Sequence, residues 1–438
     1  MSNYNPYPAY KDSGVEWIGQ VPEHWRVTPL KVIAETVNGA TPESGKPEYW
    51  DGDIAWYTPT DIDNEVASEL GVPRRYITQA GYESCAVKLS PPGSVILSTR
   101  APIGSVGITT IPSTINQGCR TLIPAQDVPT SYLASTLVAA REELRLRGNG
   151  TTFQELSTEA LRSLRVPMPP RSECVSIASG LDRETTRIDA LIAKKSRFIE
   201  LLKEKRQALI THAVTKGLDT NVPMRDSKSE WIGEVPEHWR VCSLGYLSRI
   251  STGGTPDRKN DSYWNGEIPW VKTGEINYKI ISDTEERITD AGLSNSATFI
   301  AEPGTILMAM YGMGVTRGRV AVLGIPASFN QACAAISCSS GVHNWYVFYC
   351  LCAAYRFIRD LGNEASQVNL NLEIVSKIKV PVPPLLEQEE IEKHLVAQLQ
   401  KLDAIEQRVS NSISLIKERR SAFITAAVTG QIDLRESA

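Results

Sequence analysis

The sequence predicts an α+β protein: two homologous globular α/β halves separated by two long helices that pair as an antiparallel coiled coil, an internal tandem duplication with pseudo-two-fold symmetry. Three observations carry this expectation. The phrase "VEWIGQVPEHWR" (Val15–Arg26) returns as "SEWIGEVPEHWR" (Ser229–Arg240), with ten of twelve residues kept. Each half then runs through short strand-like segments to a Pro-Pro pair. A charged stretch with an apolar residue every seventh position follows each pair.

The duplication extends well beyond its opening phrase. An offset of 214 residues brings "TPESGKPEYWDGDIAW" (Thr41–Trp56) onto "TPDRKNDSYWNGEIPW" (Thr255–Trp270), Asn116-Gln117 onto Asn330-Gln331, and "RVPMPP" (Arg165–Pro170) onto "KVPVPP" (Lys379–Pro384). The offset slips by about three residues between "PPGSVIL" (Pro91–Leu97) and "EPGTILM" (Glu302–Met308), which marks a loop deletion. A period this long signals repeated structural units.

Proline fixes φ and turns its predecessor away from helix, so each Pro-Pro is an extended stop with a helix free to begin after it. In the first stretch Leu181, Ile188, Lys195, Leu202 and Leu209 recur every seven residues, and in the second Leu395, Leu402, Val409, Ile416 and Phe423 do the same. A sustained seven-residue repeat predicts a coiled-coil seam. About 43 helical residues make a rod of roughly 65 Å, whose simplest partner is the other rod. The alternative is that each helix packs on its own globular half. The expected boundaries are residues 1–170 for the first domain with an anchor at 10–26, 171–216 for the first helix, 217–384 for a linker and the second domain, 385–429 for the second helix, and 430–438 for a tail.

With 438 residues, 42% hydrophobic and 22% charged, the chain has the composition of a soluble protein of two or three domains. No apolar run reaches bilayer length; "WYVFYCLCAAYRFI" (Trp345–Ile358) reads as a buried helix. The first residues lack the features of a signal peptide, and a cytoplasmic location and no membrane partner are expected. The eight cysteines fit free, buried thiols. Cys350 and Cys352, with Cys333, Cys338 and His343 upstream, lack the second ligand pair of a structural zinc site, so no metal is expected.

No catalytic constellation stands out. "SGKPE" (Ser44–Glu48) lacks phosphate-loop spacing, and "GMGVTRG" (Gly312–Gly318) is not a dinucleotide fingerprint. "NPY" (Asn5–Tyr7) lacks the proline and preceding strand of an adenine-methyltransferase motif. Pro256-Asp257 is not followed by a nuclease-type acidic motif at Glu267. The chain is expected not to be an enzyme by itself.

The order W-I-G-x-V-P-x-H-W, G-x-T-P, Y-W-x-G-x-I-x-W, N-Q and V-P-x-P-P followed by a long helix, twice over, resembles the specificity (S) subunits of type I restriction–modification systems. The resemblance covers nearly the whole chain. It implies that each half is a target-recognition domain for one part of a split, asymmetric site in double-stranded DNA. It further implies that the helices dock two modification (methyltransferase) subunits and restriction/translocase subunits. S-adenosylmethionine, ATP and Mg would then belong to those partners, with no cofactor in this chain.

A net charge of −4 argues against nucleic acid unless basic groups are locally concentrated. Groove readout needs donors and acceptors on exposed loops. The halves diverge between their shared anchors, where "STRAPIGSVGITT" (Ser98–Thr110) faces "MAMYGMGVTRGRVAV" (Met308–Val322). The candidate DNA contacts are Thr99, Arg100 and Arg120 in the first half, and Lys272, Thr273, Arg317 and Arg319 in the second. Asn116, Gln117, Asn330 and Gln331 are shared by both halves and read as turn groups. Trp50, Trp56, Trp264 and Trp270 read as core, and Trp17, Trp25, Trp231 and Trp239 as anchors that plug the chain into the base of each domain. Two alternatives remain open: a scaffold of two adaptor domains without DNA, and a carbohydrate binder using its tryptophans.

Overall fold

Each Pro-Pro pair ends a strand and frees a helix to start. Arg165–Met168 pairs antiparallel with Arg26–Pro29, and a helix runs from Arg171 to Lys216 over 46 residues. Lys379–Val382 pairs with Arg240–Ser243, and the second long helix runs Leu385–Val428 over 44 residues. The computed structural model describes residues 5–62, 67–148, 155–312, 315–361 and 369–435; Met313 and Gly314 of the glycine-rich stretch, and the last three residues of the tail, lie outside them. The chain forms two compact units, Met1–Ser196 with Ser410–Ala438, and Arg197–Val409.

In the first unit a five-stranded sheet runs in the order Ala34–Asn38, Cys119–Pro124, Val95–Ser98, Val106–Ile108, Ser68–Glu69, with only the last pair parallel. Val95–Ser98 is buried throughout. Its alternation sends Val95 and Leu97 into the larger core and Ile96 into a smaller cluster with Tyr57 and Ile115, as a period of two requires. A second sheet places Trp50–Tyr57 between Ser113–Ile115 and Arg75–Ile77. Its central strand carries a bulge between Trp50 and Ile54, where Asp51 takes φ 61°. Gly52 follows because a Cβ there would sit 2.6 Å from the Ile77 carbonyl oxygen.

The larger core of this unit is built from chain segments far apart in sequence. Trp25, Leu30, Tyr132, Leu137 and Leu144 pack with Cys174, Ile177 and Leu181 from the start of the first long helix, and with Phe423, Ile424, Ala427 and Val428 from the end of the second. The two helix segments run antiparallel: Asp189 pairs with Arg420, and nearer the helix start Glu173 lies 3.6 Å from Arg435.

The second unit repeats this plan. Its five-stranded sheet is ordered Ser248–Thr252, Cys333–Cys338, Ile306–Ala309, Val320–Leu323, Ile280–Ile281, and Trp264–Val271 is central in a three-stranded sheet between Glu286–Ile288 and Ser328–Phe329. Asn265 (φ 62°) and Gly266 reproduce the bulge. Leu202 and Ile210 of the first long helix share a core with Leu395, Leu399 and Leu402 of the second and with Tyr346 and Leu351. Arg206 pairs with Asp403, again antiparallel with the Gly217–Glu387 approach nearby. Tyr346 and Leu351 belong to the apolar Trp345–Ile358 stretch, which forms helices Asn344–Ala353 and Tyr355–Asp360.

Pairing of the helices and packing on a globular half are therefore not alternatives. Within each unit one segment of each helix does both. Leu181, Leu202, Leu395, Leu402 and Phe423 are buried, while Ile188, Leu209, Val409 and Ile416 are half-buried. Among the described residues no helix is long and apolar enough to cross a membrane.

Candidate functional site

The twice-written phrase is a helix latch. Trp25 is fully buried, and its indole N–H donates to Glu173 Oε2 at 2.8 Å, while His24 Nε2 pairs with Glu173 Oε1 at 2.7 Å. Glu173 stands in the first turn of the long helix, where a carboxylate also meets the positive helix end. In the second unit Trp239 donates to Glu387 Oε1 at 3.0 Å and His238 pairs with Oε2 at 2.9 Å. A helix C-terminus completes each arrangement: Gly430 (φ 75°) abuts Trp25, and Gly217 (φ 76°) abuts Trp239. Trp17 and Trp231 are only half-buried, and Trp231 donates to the Lys379 carbonyl at 3.1 Å.

Above this base, the G-x-T-P loop is tied to the central strand of the smaller sheet. Trp50 and Trp56 donate their indole N–H groups to the carbonyls of Glu43 and Ala40, and Trp264 and Trp270 to those of Asp257 and Gly254. The members of each pair meet edge to face at 5.1 Å. Three of the four are buried, whereas Trp264 is half-buried, a departure from the expected core set. Gly39 and Gly253 are required because a Cβ would sit 1.9 Å from the carbonyl oxygens of Asn116 and Phe329. The shared Asn-Gln turn splits its tasks. Asn116 and Asn330 accept backbone N–H groups two residues on, while Gln117 and Gln331 bond the hydroxyls of Thr41 and Thr255.

On this common frame the polar groups differ. In the second unit a recess of about 470 Å³ is lined by Thr255, Arg258, Trp270, Lys272, Thr273 and Glu285, among others. Lys272 lies 2.9 Å from both Glu285 and Glu286; the hydrogen bonds to these two carboxylates, Glu285 first, hold its ammonium above the usual lysine range. Arg258 pairs with Glu286 at 2.6 Å. The corresponding turn of the first unit carries Thr58 in place of Lys272, with Arg74 3.7 Å from Asp61.

The seven expected contacts separate clearly. Lys272 and Thr273 come together at the recess. Arg100 is exposed and pairs with Glu155 at 3.2 Å. Arg120 is half-buried and donates to Thr158 Oγ1 and to the carbonyls of Gln117 and Cys119; burial lowers its pKa. Arg319 reaches Asn277 at 3.2 Å. The other two are not on a surface. Thr99 is fully buried with its hydroxyl on the Gly118 carbonyl, and Arg317 is buried and donates to the Arg359 carbonyl at 2.6 Å. Burial takes both off the set of groups able to touch DNA. The sequence reading missed Glu173 and Glu387, although both stand third after a Pro-Pro pair, and it missed Arg74, Arg75 and Arg258.

The family model for the type I restriction modification DNA specificity domain matches residues 22–201 and again 236–415. The MjaIX specificity subunit of Methanocaldococcus jannaschii is 27% identical over 437 residues, covering 96% of each chain. The StySPI specificity subunit of Salmonella potsdam is 21% identical over 94% of this chain and 90% of its own. In fold, the chain is similar to a solved chain described under complex assembly and conformational transition of the type I R-M system, with TM-score 0.70 and 16% identity over 93% of this chain and 98% of that one. The crystal structure of the HsdS subunit from Thermoanaerobacter tengcongensis gives TM-score 0.52 and 16% identity over 94% and 98%. Two matches of a single domain model, falling where the sequence repeats itself, show that the chain belongs to the type I restriction–modification DNA specificity family.

Proposed function

We propose that each unit reads one part of an interrupted, non-palindromic target in double-stranded DNA, and that the long helices dock two methyltransferase subunits together with restriction/translocase subunits. The chain itself is non-catalytic in this reading. S-adenosylmethionine, ATP and Mg belong to the partners, and chemistry follows wherever the two units have settled.

The observation that carries the reading is a shared frame with unlike polar groups. The same loop, tryptophan pair and Asn-Gln turn recur in both units. At the turn after the central strand Thr58 in one unit stands where Lys272 stands in the other, and the residue before the neighbouring strand is Arg74 in one and Glu285 in the other. Base edges are told apart by the pattern of donors and acceptors set against them, so two unlike patterns suit two unlike half-sites. Exposed Arg100, half-buried Arg120 and Arg319, and Lys272 with Thr273 at the recess are the proposed contacts. Phosphate-directed groups add position without sequence.

Genome-wide mapping of adenine methylation with and without this gene tests the reading. One bipartite, asymmetric motif should vanish with the gene, and Lys272→Ala should relax only one half of it. A continuous or palindromic motif would contradict the proposal.

A further inference from the structure

A guanidinium lies over the tryptophan pair in both units, but it comes from different places. In the first unit Arg75 stands 3.5 Å from the Trp50 ring centroid and 5.9 Å from that of Trp56. In the second unit Arg258 stands 3.9 Å from Trp264 and 4.9 Å from Trp270. Arg75 is on the neighbouring strand, opposite Trp56 in register, and the residue opposite Trp270 is Glu286. Arg258 is in the G-x-T-P loop, where the first unit has Ser44. The side chain at each position has changed, yet the charge stays where it was.

Stability alone does not account for this. An exposed stack of this kind contributes about 0.5–1 kcal/mol, and the tryptophans are already fixed by two indole hydrogen bonds in each unit. The polar groups around the stack differ in sign between units, as Arg74 and Glu285 illustrate. A ligand feature common to both half-sites would instead select one charge at one spot. In duplex DNA that common feature is the phosphate backbone, which is the same whatever the bases. A planar guanidinium flat on an indole keeps its N–H edge free for phosphate oxygens and loses little freedom on binding. Arg258 is 52% exposed in its side chain while paired with Glu286, and Arg75 is exposed, with no ion pair among the described residues.

We propose that Arg75 and Arg258 are equivalent phosphate-positioning contacts, one per unit, each preorganised on its tryptophan pair, and that Glu286 attenuates the second. This rests on the DNA-reading function proposed above.

The test is a salt titration of the full chain binding duplexes with and without the mapped target. Each phosphate contact contributes about 0.9 to the slope of log affinity against log salt. Arg75→Gln should lower the slope by about that amount and Arg258→Gln by less, since Glu286 already offsets part of its charge; each should weaken both duplexes by the same factor, with the methylation motif unchanged. Because Glu286 also pairs with Lys272 at 2.9 Å, the third variant is Glu286→Gln in a Lys272→Ala background; it removes no stacking partner and should tighten binding by ~3–5-fold at low salt relative to Lys272→Ala alone. That variant keeps the question open to measurement if an arginine variant melts early. Unchanged slopes, an altered motif, or no gain with Glu286→Gln would overturn the phosphate assignment while leaving DNA reading intact. A wild-type chain with no salt-sensitive duplex binding would overturn the DNA reading itself.

Discussion

Trp25 donates its indole N–H to Glu173 across 2.8 Å, joining the opening phrase of the chain to the first turn of a helix 148 positions later. The acceptor carboxylate is only 9% exposed, so it depends on its partners in place of water: this indole, His24, the Tyr7 hydroxyl at 3.3 Å and the Arg435 guanidinium at 3.6 Å.

Trp25→Ala should cost about 3–5 kcal/mol through lost burial and the cavity left behind. Trp25→Phe fills most of that space but removes a hydrogen bond to a charged group, at about 1.5–3 kcal/mol. Trp239→Phe should cost less than Trp25→Phe, because Glu387 is 28% exposed and water can replace the donor. Denaturant unfolding of the three variants measures this ranking.

Gly39→Ala and Gly253→Ala should both fail to give soluble native protein, since the new methyl would meet a backbone oxygen at 1.9 Å. Gly19→Ala is the control. Its φ of 71° has no neighbour within 4 Å, so the cost should be about 1–2 kcal/mol of backbone strain. Soluble yield checks the first two variants, and a circular dichroism melt against the wild type checks the control.

Buried thiols should be silent to an exposed-thiol reagent in the native state. Cys119, Cys174, Cys333, Cys350 and Cys352 are buried, and burial pushes the Cys174 thiol up to about 12. Cys338 is half-buried and raised to about 12 for the same reason. Native protein at pH 8 should therefore show Cys85 and Cys242 reacting first, and all eight only in denaturant.

On the long helices, Leu202→Ala and Leu395→Ala should each cost about 2–5 kcal/mol, as both side chains are buried in one core. Phe198 and Leu201 are 44% and 45% exposed. Their alanine variants should keep stability within about 0.5 kcal/mol. If the helices dock methyltransferase subunits, those two variants should instead weaken co-purification of the partner.

The frame of the molecule was legible because repeats expose it. Trp17, Trp25, the Pro-Pro stops and the heptads announce themselves by recurring at one offset. The placement of Leu181 and Phe423 in a core shared with Trp25 was half legible: a seven-residue period marks a seam but not what else the seam touches. The arginines over the tryptophans were hidden for a physical reason. Charge acts through space and is indifferent to which strand supplies it, so aligning the halves sets Arg258 against Ser44 and conceals Arg75. Thr99 misled because it directly follows the buried strand Val95–Ser98 and stays buried, and Arg317 because a glycine-rich stretch reads as an exposed loop although its guanidinium turns inward to the Arg359 carbonyl.

The core that surrounds Trp25 takes side chains from Phe423 to Val428, beyond the whole of the second unit. On the ribosome, the first unit to emerge is thus the last to be finished. Until the final helix is released, the emerging N-terminal sheet lacks one wall and exposes apolar surface to the cell's chaperones. Premature termination would leave its damage in a unit whose other residues were encoded at the opposite end of the chain from the missing codons.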